Sequence, residues 1–506
     1  MSELAQTIDT AARRTHRPLV LTAMVLAMLL AAIEGTIVAT AMPSIAARLG
    51  GFALYSWVFS AYLLMQAITT PIFGKLSDLF GRKPVLIAGI LLFLLGSVLC
   101  GFAGSMGALV TFRFLQGAGA GAVLPITATL AGDLYTLEER GRVQGYLASV
   151  WGISSVLGPL AGGLIVQHAE WRWIFWMNVP FGLLAVLLLV LYLHENLHHE
   201  ERSIDFAGAV LLLVGLSALM LSLTQGGEWG AGAAAPLTAG GVLLLWIFVR
   251  HERRAPDPMM HLELWENRVI RLGNLAILTA GLAMIGLISF LPTYVQGVQG
   301  RSALVAGFTL SAMSVGWPIA SVTAGRLFVR LGVRRIVRTG GVAVFLGALA
   351  IALLAQYGPV AAGIGSFVMG VGFGLLNTTF IVAIQTSVPW RQRGVATASN
   401  MLMRNLGNAL GAALFGGVLN LSLTAYLARR GLADRVSLDS VRDLVGEGSR
   451  RTPGLPTSLL EPLQEGLAGS LHLVFWGVAL FAAVILLVAW RVPDLPRGDA
   501  PEGPGR

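Results

Sequence analysis

Long apolar runs separated by short polar connectors fill nearly the whole chain. A helix needs about 20 mostly apolar residues to cross a hydrocarbon core of about 30 Å. Fourteen stretches fit that pattern, at 19–42, 55–73, 84–104, 108–131, 143–167, 173–193, 206–224, 236–250, 269–295, 303–327, 337–355, 361–385, 396–424 and 469–490. The shortest, 236–250, follows Gly/Ala-rich sequence. Several stretches contain Gly or Pro, which helices in a bundle tolerate because neighbours satisfy the freed backbone groups. The pattern predicts an all-α integral membrane protein with 14 transmembrane helices.

The two ends of this pattern resemble each other. Gly74-Lys-Leu-Ser-Asp78-Leu-Phe-Gly81-Arg82-Lys83 lies between two apolar runs, and Gly325-Arg-Leu-Phe-Val-Arg-Leu-Gly332 lies in the same setting, 325 − 74 = 251 residues later. Gly117, Gly141 and Gly158 recur as Gly370, Gly394 and Gly411, each 253 residues later (370 − 117). A drift of two residues across these landmarks points to an internal duplication. In a membrane protein that is the mark of a secondary transporter, whose halves rock about a central site.

Composition agrees with a membrane setting: 55% of the 506 residues are hydrophobic and 12% charged, against about 25% charged in soluble domains. The net charge of +9 reads as positive-inside bias and not as nucleic-acid binding. Arg17, Lys75, Arg82, Lys83, Arg140, Arg142, Arg268, Arg271, Arg330, Arg334 and Arg335 fall on one side if both termini are cytoplasmic. The loop 425–468 opposes this pattern, carrying Arg429, Arg430, Arg435, Arg442, Arg450 and Arg451 on the far side. Lysine occurs only at Lys75 and Lys83 among 35 Lys and Arg residues; that usage suggests a GC-rich bacterium, hence a bacterial plasma membrane. Cys100 alone excludes an intrachain disulfide, and no cleavable signal peptide is visible.

Several segments carry a family resemblance. Gly74 to Lys83 resembles the loop 2–3 signature of the major facilitator superfamily. Arg113-Phe-Leu-Gln116-Gly117-Ala-Gly119 is similar to its fourth-helix motif, and Gly152 to Gly163, with Gly158-Pro159 and Gly162-Gly163, to its antiporter-associated fifth-helix motif. Ile33-Glu34-Gly-Thr, Trp171-Arg-Trp-Ile-Phe, Ile204-Asp205-Phe-Ala-Gly208 and Leu291-Pro-Thr-Tyr-Val-Gln296 resemble the fourteen-helix drug:proton antiporter branch, the EmrB/QacA type. The likeness covers roughly 18–490. It implies two six-helix bundles, 18–195 and 269–490, with two additional helices in a linker, 196–268. The tails 1–17 and 491–506 would be cytoplasmic and the loop 425–468 external.

Individual residues then acquire candidate roles. Glu34 is the one carboxylate placed well inside a span, on the order of 24 Å from Pro18 at 1.5 Å per residue. An isolated carboxylate there could take up and release a proton. Arg113 lies early in the fourth span, where a charge is expensive unless paired, and Gln116 shares its helix face. The resemblance implies proton coupling or helix bracing for Arg113. Asp78, Arg82 and Lys83 could latch the cytoplasmic side, with Gly74 and Gly81 permitting a tight connection; the second copy has Val329 where Asp78 stands. Gly117, Gly158, Gly162 and Gly163 suit close helix packing, and Pro159 a bend. Asn400, Arg404 and Asn408 share a face of the thirteenth span as a second polar cluster.

The expectation is a secondary transporter that exports amphipathic, often cationic compounds, driven by the proton gradient and needing no cofactor. A transporter for one metabolite, lipid, siderophore or self-made antibiotic is the alternative, and a membrane sensor a third. No phosphate loop, metal-ligand set or nucleophile–base pair supports an enzyme. His194, His198 and His199 imitate a metal site at a span exit, but polar residues are expected there. The partners expected are a small-molecule substrate, protons and the bilayer. In a Gram-negative host a periplasmic adaptor and an outer-membrane channel remain open.

Overall fold

The structure is a computed structural model that describes residues 15–50, 54–195, 205–256, 258, 262–432 and 457–494. The tails 1–14 and 495–506, linker residues 196–204 with His198 and His199, and loop residues 433–456 lie outside the described residues.

The first half consists of α1 (Arg17–Leu49), α2 (Tyr55–Phe80), α3 (Arg82–Gly101), α4 (Met106–Leu134), α5 (Leu137–His168) and α6 (Asn178–Tyr192), the last preceded by one turn, Trp173–Trp176. A hairpin follows, α7 (Phe206–Trp229) and α8 (Ala231–Glu252). The second half contains α9 (Arg268–Thr293), α10 (Ala303–Leu354), α11 (Pro359–Thr386), α12 (Arg393–Arg429) and α13 (Thr457–Arg491). Among the described residues, 12 helices are long and apolar enough to cross a membrane, and α10 supplies two of them because it breaks at Gly332.

The count differs from the expected fourteen at α5 and α7. α5, at 32 residues, is long enough to span but is not among the twelve. In α7 the apolar stretch, Phe206–Ser222, is short.

The duplication is visible in backbone geometry. Gly81 and Gly332, the repeated loop glycines, both have positive φ, 94° and 76°, a conformation that costs other residues dearly. Two of the other repeated pairs permit the same close approach, each in its own half. A Cβ on Gly117 would lie 2.3 Å from the Tyr62 carbonyl oxygen, and one on Gly370 would lie 2.3 Å from that of Met313. Gly158 meets Thr36 in the first half, and Gly411 meets Ile285 in the second.

Two further pairs join the halves to each other. First-copy Gly74 faces second-copy Gly394 and Ala398, and first-copy Gly141 touches second-copy Gly325. A Cβ on Gly141 would sit 1.8 Å from the Gly325 Cα, so backbone meets backbone at this crossing of α5 and α10. The seam therefore closes where the loops after α2 and before α12 come together.

Each half packs its own apolar interior. Met24, Leu86, Phe93 and Ile126 pack in the first half, while Leu287, Val337, Phe373, Phe380 and Phe475 pack in the second. The α7–α8 hairpin packs along the side of the α2–α12 seam: Leu212, Leu216 and Met220 of α7 pack with Leu64 and Ile68 of α2 and Val395 and Leu402 of α12.

Among the described residues, the Ser222 hydroxyl of α7 bonds to α8, at Thr238 Oγ1 (2.6 Å) and the Ala234 carbonyl (2.9 Å). Such bonds in membranes average about 0.6 kcal/mol. Ser222→Ala is therefore expected to leave export within about threefold of wild type. A larger loss at equal abundance, read in whole-cell efflux, would place the hairpin within the transport path.

Candidate functional site

α1 and α4 run antiparallel, and each carries one charge into the same half of the bundle. Glu34 and Arg113 meet there as a direct ion pair, with both side chains essentially fully buried. The expected isolated carboxylate is thus a paired one. Arg113 also donates to the Val58 carbonyl (2.9 Å) and to Gln116 Oε1 (2.9 Å), and its guanidinium lies 4.3 Å from the Tyr62 ring centroid. The other carboxylate oxygen of Glu34 accepts from Asn178 Nδ2 (2.9 Å). Asn178 in turn donates to Ser97 Oγ (2.9 Å), which donates to the Phe175 carbonyl (2.8 Å).

Five helices thus converge on one buried ion pair. A pair out of water is stable only when its remaining hydrogen-bonding capacity is filled, and Gln116, Asn178 and the Val58 carbonyl do this. Close helix approach makes it possible: a Cβ on Gly96 of α3 would lie 2.5 Å from the Gln116 backbone nitrogen.

A second network ties the halves together at the seam. Asp78 accepts from the backbone N–H groups of Gly394 (2.9 Å) and Val395 (2.7 Å), in the first turn of α12. It also pairs with Arg82 one turn later (2.7 Å). Unpaired N–H groups and the helix dipole make a helix start favourable for an anion. Arg82 reaches across to the Trp390 carbonyl (2.8 Å), lies 4.0 Å from the Trp390 ring centroid and pairs with Asp133 of α4 (3.1 Å). Asp133 pairs with Arg393 from the other half (2.9 Å). Two carboxylates and two guanidiniums thus alternate across the seam.

Lys83 does not join this network. Its Nζ donates to the Val190 and Leu193 carbonyls at the end of α6 (2.9 and 2.7 Å). Glu195 accepts from the backbone nitrogens of Arg82 and Lys83 and so caps α3 (2.9 Å each). Among the described residues, no group of three or more His, Cys, Asp or Glu is placed to hold a metal.

The third polar cluster divides. Asn400 donates to Asn274 Oδ1 of α9 (3.0 Å), whereas Arg404 lines a small cavity with Trp317 and Phe373. Asn408 lies against Gly281.

The sequence profile of the Major Facilitator Superfamily matches residues 24–412. The chain belongs to the major facilitator superfamily. This superfamily member is 33% identical over 494 residues to multidrug resistance protein 3 of Bacillus subtilis (strain 168), covering 95% of either chain. It is 32% identical over 505 residues to the multidrug transporter protein MdtP of the same organism, covering 93% of this chain and 92% of the relative. A crystal structure of the human organic anion transporter MFSD10 (TETRAN) superposes with a TM-score of 0.64 at 16% identity, covering 94% of this chain and 100% of that one; the likeness is one of fold. The protein is a multi-pass membrane transporter and not an enzyme.

Within this superfamily fold the expected residues separate by place. Glu34, Arg113 and Gln116 share one buried network. Asp78 and Arg82 lie in the seam; Gly74, inside α2, packs there against Gly394 and Ala398, and Gly81 alone forms the α2–α3 connection. Gly158 and Gly162 press α5 onto Thr36 and Ile37 of α1, while Gly163 has open space beside it. Pro159 lies within α5. Sequence reasoning passed over Tyr62, Ser97 and Asn178 in the first network and Asp133, Trp390 and Arg393 in the second. Asn178 did leave a signal, as a lone amide at the head of the apolar run Val-Pro-Phe-Gly-Leu-Leu.

Proposed function

We propose that this transporter is a proton-coupled antiporter that exports amphipathic organic compounds across a bacterial plasma membrane. The Glu34–Arg113 pair, held by Gln116 and Asn178, is the observation that carries the reading. A carboxylate paired with a guanidinium in a dry bundle has two states of different charge. Ionised, it neutralises Arg113; protonated, it leaves the guanidinium uncompensated and free to favour another packing. Entry of a proton at Glu34 thus biases the bundle towards one conformation, and its release biases the bundle back.

Asp78, Arg82, Asp133 and Arg393 form the latch of this cycle, shut in the present conformation. The positively charged loops lie at the latch end, which supports a cytoplasmic location for it and for both termini. In this reading α5 and α7 cross the membrane too: both lie among helices that cross and extend the count to fourteen. Glycines replace side chains along the α5–α10 and α2–α12 crossings, so the halves can close tightly and separate with little repacking. The energy source is the proton gradient. An accessory adaptor is required only if the host has an outer membrane.

Topology is the first test. Reporter fusions after Lys83 and Arg335 are expected to be active inside the cell, and a fusion near Ser449, outside the described residues, to be active outside. An internal signal from Ser449 would break the fourteen-span arrangement. Gradient-driven efflux in a host stripped of its own pumps tests the function itself: no protection against any amphipathic compound on expression would remove the export reading.

A further inference from the structure

The second half of the bundle holds a cation that the described protein does not neutralise. Arg404 lies 11 residues into α12, on the order of 16 Å from its start. Among the described residues no carboxylate lies within 4 Å of it. A charge at that depth is costly, and its default reading is a functional one with a partner of opposite sign. The repeat supplies no such partner. The repeat offset carries Glu34 onto 285–287 (34 + 251 to 34 + 253), which are Ile285, Gly286 and Leu287.

The surroundings of Arg404 resemble a binding wall. It lines a cavity with Met284 of α9, Trp317 of α10, and Phe373 and Asn377 of α11. The rings of Trp317 and Phe373 lie 5.8 Å apart, tilted by 36°, so an aromatic pair lines the same cavity as Arg404. Asn408, one turn along α12, has a buried Oδ1 without a hydrogen-bond partner. Gly281 lets α9 approach: a Cβ there would lie 2.5 Å from the Arg404 carbonyl oxygen. The cavity volume is about 10 Å³, room for about one water molecule, so the latched conformation shows this wall closed.

We propose that Arg404 binds the acidic group of the exported compound while Trp317 and Phe373 hold its aromatic body. The substrate class is then acid-bearing aromatic amphipaths, anionic or zwitterionic, and this deepens the export reading on which it rests. The sign is opposite to the cationic emphasis that the family resemblance carries. Charge placement decides it: Glu34 is already committed to Arg113, so a cation finds no free carboxylate there and is repelled by Arg404. A carboxylate offers Arg404 the charge-assisted, bidentate bonds that guanidinium geometry favours.

A matched pair of dyes tests this. Rhodamine 110 carries a free carboxylate, and rhodamine 123 is its methyl ester. Binding of each to the purified full-length protein is read by fluorescence anisotropy in detergent without any gradient. The acid is expected to bind at least about tenfold tighter than the ester, a difference of about 1.4 kcal/mol. Arg404→Gln is expected to bring the two affinities together, with the ester bound at least as well as by wild type. Arg404→Lys should keep the charge but lose the fork, and so keep only part of the preference. Equal affinities in wild type, a tighter ester, or an acid preference that survives Arg404→Gln would overturn the proposal. If Arg404→Gln does not purify, Arg404→Lys decides: an unchanged acid preference there would overturn it as well. Normal acid-selective binding without gradient-driven flux in proteoliposomes would remove the export reading and leave this site standing.

Discussion

Glu34→Gln is expected to abolish uphill export while leaving the protein in the membrane at normal abundance. The amide cannot take up and release a proton, so the two charge states that drive the conformational bias collapse into one. Folding is expected to survive because Arg113 keeps the Val58 carbonyl, Gln116 and the Tyr62 ring. The amide oxygen can still accept from Asn178. Breaking a buried pair by truncating the acid altogether is a different experiment and costs about 3–5 kcal/mol. Glu34→Ala is therefore expected to lower abundance as well, and Glu34→Gln separates coupling from stability. Export of a dye from de-energised, substrate-loaded cells reads the remaining downhill movement. Uphill efflux by Glu34→Gln at the wild-type rate would remove Glu34 from the coupling step.

Asp78→Asn is expected to loosen the latch. The carboxylate accepts two backbone N–H bonds at the start of α12 and one ion pair from Arg82, and the amide keeps the shape but loses the charge. Hydrogen bonds to a charged group are worth about 1.5–3 kcal/mol. Loss of about 2 kcal/mol from the shut state shifts the open-to-shut ratio by about 30-fold. Ala398, fully buried behind Gly74, reports this. In a Cys100→Ala background, Ala398→Cys is expected to react several-fold faster with a membrane-impermeant maleimide in inside-out vesicles when Asp78 is replaced. Export should fall in parallel, since the two faces are then less strictly alternated. Unchanged labelling and unchanged export would reduce the motif to a loop anchor. An Asp at position 329 is not expected to compensate, because the two halves have diverged around it and the α12 start that receives Asp78 packs against α2.

The parts of the fold that were legible in the sequence share a physical cause. Glycine is the only residue that permits positive φ cheaply and lets backbones touch, so a duplication leaves glycines where it leaves contacts. Gly81/Gly332, Gly74/Gly325 and Gly141/Gly394 could therefore be read at an offset of 251 to 253 residues, whereas the contacts Gly74–Gly394 and Gly141–Gly325, which cross between the halves, could not. The helix count was less legible at α7, whose apolar stretch is short.

The buried site was half legible. Glu34 and Arg113 are conspicuous because charges at membrane depth are rare. Estimated from the span ends, both fall in the same half of the bundle, but depth does not say which helices are neighbours, so Glu34 read as isolated until the structure paired it with Arg113. Asn178, Ser97 and Tyr62 were harder to find, since polar side chains of their size occur in many spans without such a role. The latch partners were hidden for another reason. Asp133 and Arg393 belong to different halves, 393 − 133 = 260 residues apart, and only the closing of the seam brings them together. The isolation of Arg404 likewise requires knowing what does not lie beside it.

The most direct test of the account is a proton-flux measurement in proteoliposomes containing a pH-sensitive dye in the lumen. With purified wild type and no imposed pH gradient, an exported compound added outside should move inwards down its own gradient and drive protons out, raising the lumenal pH. With Glu34→Gln the pH should stay level even if some compound enters. A lumenal pH that stays level in wild type while the compound is taken up, or an equal rise with Glu34→Gln, would contradict proton coupling through the Glu34–Arg113 pair.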